Sequence, residues 1–354
     1  MANRAVIAGV SGIVGNNLAA HLISRGWEVH GLARKPQTGI PGVHPVAADL
    51  LEPDRLRKAL SGIHPTHVFI TTWLRQATEA ENCVVNGTMV RNLLAAVDSP
   101  DSLKHVALVT GLKHYLGPFE AYAKTRPETP FREEMPRVAG ANFYYNQEDE
   151  VFSAAERHGF TWSVHRPHTI IGYALGNAMN MGVTLAVYAS ICRETGRPFV
   201  FPGSRQQWEG LTDVTDAHVL ARHLEWAATS ESARNQAFNI VNGDIFRWNW
   251  LWPRLAGNFG IEPASYPGHP TPLEPQLAGA GPTWAKLATK YDLAEPDLGK
   301  LASAWHTDMD LGREMEVVTD MTRSRLAGFH DYQPTLNSFL DLFARLRKDR
   351  IIPD

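Results

Sequence analysis

Apolar residues along this chain fall into short runs of a strand's length, alternating with stretches spaced for one face of a helix. The run from Val6 to Val10 follows Arg4 and Ala5. Val14, Leu18 and Leu22 then recur at helical spacing as far as Gly26, a residue suited to a left-handed helix cap. Glu28 to Ala33 reads as a second strand, Val43 to Ala48 as a third ending at Asp49-Leu50, Pro53 to Leu60 as a short helix, and Thr66 to Thr72 as a fourth strand. Val84, Val85, Met89, Leu93, Leu94 and Val97 give Glu81 to Val97 the periodicity of a helix of about four turns, and Val106 to Thr110 follows as a strand. This alternation predicts an α/β fold of the Rossmann type, a doubly wound parallel sheet covered on both faces, with ligands at the carboxyl ends of its strands.

Farther on the rhythm loosens. Pro118 to Pro136 reads as a long loop, Asn146 to His158 as a helix, and Thr161 to His165 as a strand running into Arg166-Pro167. Ala178 to Glu194 is expected to be helical, Gln207 to Asp213 extended, and Asp216 to Ala228 helical. Ala237 to Val241 looks like a last sheet strand before the turn Asn242-Gly243-Asp244, Trp248 to Gly260 a helix, and the Pro- and Gly-rich stretch Ile261 to Pro282 a loop. The expected organisation is a sheet domain over residues 1–170, with the strand at 237–241 returning to it, and a smaller mixed lobe over 171–354 that binds substrate. The carboxyl-terminal part, with Trp284 and Trp305 among its tryptophans, is expected to pack a lid or wall over an apolar pocket.

Composition narrows the function classes. A chain of 354 residues, 44% hydrophobic, can bury a sizeable core; its net charge of −3 and 20% charged residues, without a long run of one sign, offer no field for nucleic acid or anionic lipid. Cys83 and Cys192, far apart, make neither a disulfide framework nor a four-cysteine zinc site, and read as buried thiols in a reducing compartment. The start of the chain lacks the pattern of a secretory leader, and no stretch approaches the roughly 20 apolar residues of a membrane span. A soluble cytoplasmic protein is expected, with a small molecule as its partner.

The stretch after the first strand carries the first chemistry. Gly9, Gly12 and Gly15 stand at GxxGxxG spacing, with Ser11, Ile13 and Val14 between them, where strand passes into helix. Such a turn lets backbone approach a pyrophosphate and aims a helix N-terminus at its charge. At the end of the second strand, where a carboxylate would accept from a free ribose hydroxyl, the chain has Ala33-Arg34-Lys35, so a 2′-phosphate and hence NADP(H) is favoured. Asp49 reads either as an acceptor for the adenine amino group, with Leu50 supplying backbone, or as a bare helix cap. Thr71, Thr72 and Trp73 would line the path to the nicotinamide, and Thr110, Gly111, Pro167 and Ile170 complete the candidates at later strand ends.

A carbonyl reductase of the short-chain type pairs Tyr with Lys one helical turn apart, as YxxxK. Here Tyr122 is followed four residues on by Arg126, Tyr144 by Glu148, Tyr145 by Asp149 and Tyr115 by Phe119, so that site is absent.

Several stretches resemble one family, the progesterone 5β-reductase and iridoid synthase-like enone reductases, an atypical branch of the extended short-chain dehydrogenases. They are Gly9 to Gly15, Val29 to Lys35, Thr110 to Glu120 with Lys113-His114-Tyr115, Asn142-Phe143-Tyr144-Tyr145 with Glu148-Asp149, Trp162 to Pro167, Ala237-Phe238-Asn239 and Asn242-Gly243-Asp244. The resemblance implies Lys113 and Tyr144 as catalytic groups that also touch the cofactor, with Tyr145 as the alternative phenol. It further implies 1,4-reduction of an α,β-unsaturated carbonyl, with the phenol stabilising an enolate oxygen, and a homodimer fits the superfamily. Two departures concern substrate: His168-Thr169 follows Arg166-Pro167 where the family has Gly-Asn, and the aromatic pocket wall matches loosely around Leu326 to Phe329. The rival expectations are an ordinary extended short-chain carbonyl reductase, epimerase or dehydratase, and a non-catalytic NADP-binding sensor.

Overall fold

Seven parallel strands form one sheet, a consequence of runs that are apolar on both faces and therefore need cover on both. The computed structural model describes residues 3–36, 39–97, 102–118, 127–177 and 179–354. Phe119, Glu120, Tyr122, Arg126 and Ala178, named above, lie outside the described residues, as does the rest of 119–126. The strands and the helices between them are β1 (Arg4–Ala8), α1 (Ile13–Ser24), β2 (Glu28–Ala33), β3 (Val43–Ala47), α2 (Pro53–Leu60), β4 (His67–Ile70), α3 (Glu79–Ala96), β5 (His105–Val109), α4 (Lys113–Leu116), α5 (Phe143–His158) and β6 (Thr161–Pro167). After these come β7 (Ile170–Ile171), β8 (Thr215–Asp216) and β9 (Gln236–Ile240).

The sheet order is β3-β2-β1-β4-β5-β6-β9, so its direction of growth reverses between β1 and β4. That crevice is where an open α/β sheet receives a ligand. Val6, Val68, Val106 and Leu108 have no exposed surface, and each such side chain contributes about 2 kcal/mol by leaving water.

The chain divides into two compact units, residues 1–168, 218–240 and 319–331 in one, and residues 169–217, 241–318 and 332–354 in the other. The first holds the whole seven-stranded sheet, with the helix Ala217–Thr229 from His218 onward and the segment around Thr322–Leu326 added to it. In its interior, a string of polar groups interrupts the apolar strands. His105 Nε2 lies 2.8 Å from Ser163 Oγ, Ser163 Oγ 2.8 Å from His165 Nε2, and His165 Nδ1 2.8 Å from His223 Nδ1. His223 Nε2 lies 3.1 Å from Ser324 Oγ.

The second unit is built on its own aromatic core. Trp252 stacks on Phe199 with ring centres 4.1 Å apart and donates its indole N–H to the Phe199 carbonyl at 3.0 Å. Trp284 belongs to this core, fully buried with its indole donating to the Glu295 carbonyl, a correction to its expected place on a pocket wall; Trp305 is half-buried. The turn Asn242-Gly243-Asp244 holds the last helix, Thr335–Lys348, by accepting from the Thr335 backbone N–H (2.8 Å) and hydroxyl (2.7 Å) at Asp244.

Two local expectations fail here. Gln207 to Asp213 is not extended throughout: Arg205–Glu209 is a helical turn, because the Ser204 hydroxyl caps the Gln207 N–H at 3.1 Å, and within the stretch Thr212 alone makes bridges, antiparallel to Phe246 and parallel to Val317. Ile261 to Pro282 is not all loop either, since it contains the helix Leu273–Leu277 and the start of Gly281–Lys290. Pro282 falls in that helix's first turn, where its missing N–H costs nothing.

Candidate active site

The glycine turn is packed so closely that side chains are excluded. Gly9 has φ +92°, in the left-handed region, and a Cβ there would come within 2.7 Å of Thr72 Cβ. A Cβ on Gly15 would stand 2.2 Å from the Gly9 carbonyl oxygen and 2.7 Å from Val10 Cα. Gly12 starts α1 without a side-chain cap, and no acidic residue occupies the first turn. The N-terminal N–H groups of α1 are therefore left for an anion, with Ser11 and Gly12 half-buried and Ile13 and Val14 buried around them. These residues fit a dinucleotide pyrophosphate.

The neighbouring strand ends complete a row. Arg34 and Lys35 are exposed just past β2. Asp49 is half-buried and accepts from the Leu51 N–H at 2.9 Å, while the buried Leu50 offers its carbonyl to Asn92 at 2.8 Å. The Thr71 hydroxyl donates to the Ala8 carbonyl at 2.8 Å, tying β4 to β1 where the sheet reverses. Thr72 backs Gly9, and Trp73 stacks on Phe143 with centres 4.9 Å apart. The Thr110 N–H donates to the His165 carbonyl at 2.8 Å, linking the ends of β5 and β6.

At the end of β5 the absence of a side chain makes room for a phenol. A Cβ on Gly111 would lie 3.3 Å from the Tyr144 hydroxyl oxygen and 3.3 Å from the Pro167 carbonyl. Tyr144 is half-buried. Its neighbour Tyr145 is buried and committed to the backbone, donating to the His114 carbonyl at 2.6 Å and accepting from the Val138 N–H at 2.9 Å; burial pushes its phenol above the ordinary pKa.

Lys113 opens α4. Its ammonium lies 2.6 Å from Glu79 Oε2 and 4.4 Å from the centre of the Phe143 ring, with 2% of the side chain exposed. Asn142 caps α5, accepting from the Tyr144 N–H at 3.1 Å and donating to the Lys113 carbonyl at 2.9 Å. One turn into α5, the Glu148 carboxylate meets Arg137 at 2.8 Å, Arg166 at 3.5 Å and the His114 imidazole at 3.7 Å. Burial pushes that carboxyl up, but the imidazole and the two guanidinium groups outweigh it and hold it below its ordinary range.

Elsewhere, His168 is buried at the end of the first unit, and Phe329 is buried edge-on to His223, 4.6 Å between ring centres, in the packing beside β9. Ile170 lies in the second unit, paired with Thr215. Sequence reasoning missed Glu79. The signal was present: Thr78 and Glu81 form a capping box, which starts α3 two residues earlier than expected and brings Glu79 into its first turn.

Residues 48–353 match the family model described as the PRISE-like Rossmann-fold domain. The chain is 39% identical to a 3-oxo-Delta(4,5)-steroid 5-beta-reductase of Arabidopsis thaliana over 99% of this chain and 93% of the relative. It is 38% identical to a (S)-8-oxocitronellyl enol synthase of Nepeta racemosa over the same shares. Among solved structures, the Thermus thermophilus UDP-glucose 4-epimerase in complex with NAD matches with a TM-score of 0.65 at 15% identity, over 97% of this chain and 99% of that one. At that identity the likeness concerns the fold.

Proposed function

The chain belongs to the PRISE-like Rossmann-fold family, and from that membership we infer that it is an NADPH-dependent oxidoreductase reducing the C=C bond of α,β-unsaturated carbonyl compounds. The name of the Arabidopsis relative describes such a reaction, reduction at carbon 5 of a 4,5-ene conjugated with a 3-oxo group. The observation that carries the reading is the meeting of Tyr144 with Gly111 beside the buried Lys113, two groups from different elements where YxxxK would supply both from one helix.

Gly9, Ser11, Gly12, Ile13 and Val14 would hold the cofactor's pyrophosphate, Arg34 and Lys35 its 2′-phosphate, and Asp49 with Leu50 its adenine. Thr71, Thr72, Trp73, Thr110 and Gly111 would flank the nicotinamide half. When bound, the nicotinamide would supply the hydride that reduces the β-carbon. The C=C electron pair then moves toward the carbonyl, and the Tyr144 hydroxyl donates to the oxygen where negative charge gathers. Lys113 stabilises that charge through space. The α-carbon takes a proton from solvent, so the product gains two hydrogens. Choice of NADPH over NADH rests on Arg34 and Lys35 standing where a carboxylate would otherwise meet the ribose.

No helix among the described residues is long and apolar enough to cross a membrane. The cytoplasmic setting we infer is in keeping with two free thiols, Cys192 buried as expected and Cys83, contrary to expectation, only half-buried. A homodimer remains the superfamily expectation, tested by sedimentation.

The deciding assay follows NADPH absorbance with cyclic enones, unsaturated aldehydes and saturated ketones. Enone or enal turnover is expected. Turnover of saturated ketones alone, or tight NADPH binding without turnover of any of them, would overturn the reading.

A further inference from the structure

In a YxxxK site the pitch of one helix sets the distance between phenol and ammonium. Here Lys113 stands on α4 and Tyr144 on α5, so something else must set it. The groups that do so lie on α3 and at the head of α5. Glu79, the first residue of α3, directs one carboxylate oxygen to Lys113 Nζ at 2.6 Å, while the other accepts from the Phe143 N–H at 2.9 Å. That N–H belongs to the residue immediately before Tyr144. Asn142 closes the bracket, holding the Lys113 carbonyl and the Tyr144 N–H with the two ends of one amide. The Glu79 side chain is 13% exposed, and Asn82 donates to its Oε2 at 3.2 Å, so the carboxylate is itself held.

We propose that Glu79 is a positioning residue for the reduction: its carboxylate fixes the Lys113 ammonium and the start of α5 in one arrangement, so that Lys113 and Tyr144 address the same carbonyl oxygen. The inference rests on the proposed reaction and adds to it a residue from a third element. Besides orientation, Glu79 supplies the counter-charge for an ammonium taken out of water, which would otherwise tend to lose its proton. Cys83, one turn along α3, faces the same pair; burial, with the Glu79 charge second, pushes its thiol up and keeps it neutral.

The test compares Glu79→Gln and Glu79→Asp with the wild type, measuring kcat and KM for NADPH with a cyclic enone from pH 6 to 10, together with the melting temperature. Glutamine keeps an acceptor for the Phe143 N–H but removes the charge; aspartate keeps the charge on a shorter arm. Glu79→Gln is expected to lower kcat by about tenfold or more while KM for NADPH stays within about threefold, the split of a group that orients reacting parts. The alkaline limb of its kcat profile is expected to move to lower pH, and Glu79→Asp to recover part of both effects. An unchanged kcat overturns the inference. So does a loss of activity that merely follows a loss of folded protein, with the alkaline limb unmoved. Wild-type protein that binds NADPH but turns over no enone would overturn the reaction itself and this inference with it, a result distinguishable because it needs no substitution at position 79.

Discussion

Tyr145 donates its hydroxyl to the His114 carbonyl at 2.6 Å, so of two adjacent phenols one is spent on holding α4 and α5 together. Its partner Tyr144 meets Gly111 at the end of β5. The two phenylalanine variants therefore separate cleanly. Tyr144→Phe is expected to lower kcat by roughly 100-fold, the usual effect of removing one donor to a developing oxyanion, with NADPH affinity nearly unchanged. Tyr145→Phe is expected to keep most turnover and to cost about 1–3 kcal/mol in stability, because a backbone carbonyl and an N–H lose their partner. The reverse pattern in steady-state kinetics and urea melts would make Tyr145 the reacting phenol.

Arg34 is exposed just beyond β2, free of any strand duty. Arg34→Ala is expected to raise KM for NADPH by about 10–100-fold, the worth of a charge-assisted phosphate contact, and to change KM for NADH little. Equal effects on both cofactors, measured by initial rates, would remove the 2′-phosphate assignment.

Gly15 cannot accept a side chain without displacing the Gly9 carbonyl, since a Cβ there would stand 2.2 Å away. Both groups are backbone, so no flexible side chain can yield. Gly15→Ala should weaken NADPH binding at least about tenfold by shifting the turn against α1. Fluorescence titration checks this; unaltered affinity would show that the turn tolerates the shift.

The buried imidazoles make acid the weak side of this fold. Burial lowers His105 and His223 from 6.5 to about 3 and His67 to about 4, and holds His165 well below 6.5. These groups stay neutral in the folded chain while the unfolded chain protonates them below 6.5, so the unfolded state binds more protons. Stability is therefore complete above pH 6.5 and declines as pH falls toward the folded values, by up to about 1.4 kcal/mol per pH unit for each group. Urea midpoints should drop steeply between pH 7 and pH 4.5. Equal midpoints at those two values would mean that the string accepts protons without loss.

The sheet was readable because a parallel strand buried on both faces leaves an unbroken apolar run, as at Val68-Phe69-Ile70 and Val106-Ala107-Leu108. β2 and α2 begin and end where the pattern placed them. The polar string was not readable, because His105, Ser163 and His165 look like surface residues until their neighbours are known. The turn at Arg205–Glu209 was missed for a related reason: a single serine cap outweighs an extended-looking composition.

By itself, the sequence determined the glycine turn, the order of the seven sheet strands and the absence of YxxxK, because all of these are written in local spacing. Only the tertiary structure decided which of Tyr144 and Tyr145 meets Gly111, since adjacent residues on a helix point about 100° apart and spacing says nothing of what either faces. Glu79 likewise became visible only in three dimensions. Its partners Lys113 and Phe143 stand 34 and 64 residues away, and folding alone brings them within hydrogen-bond reach.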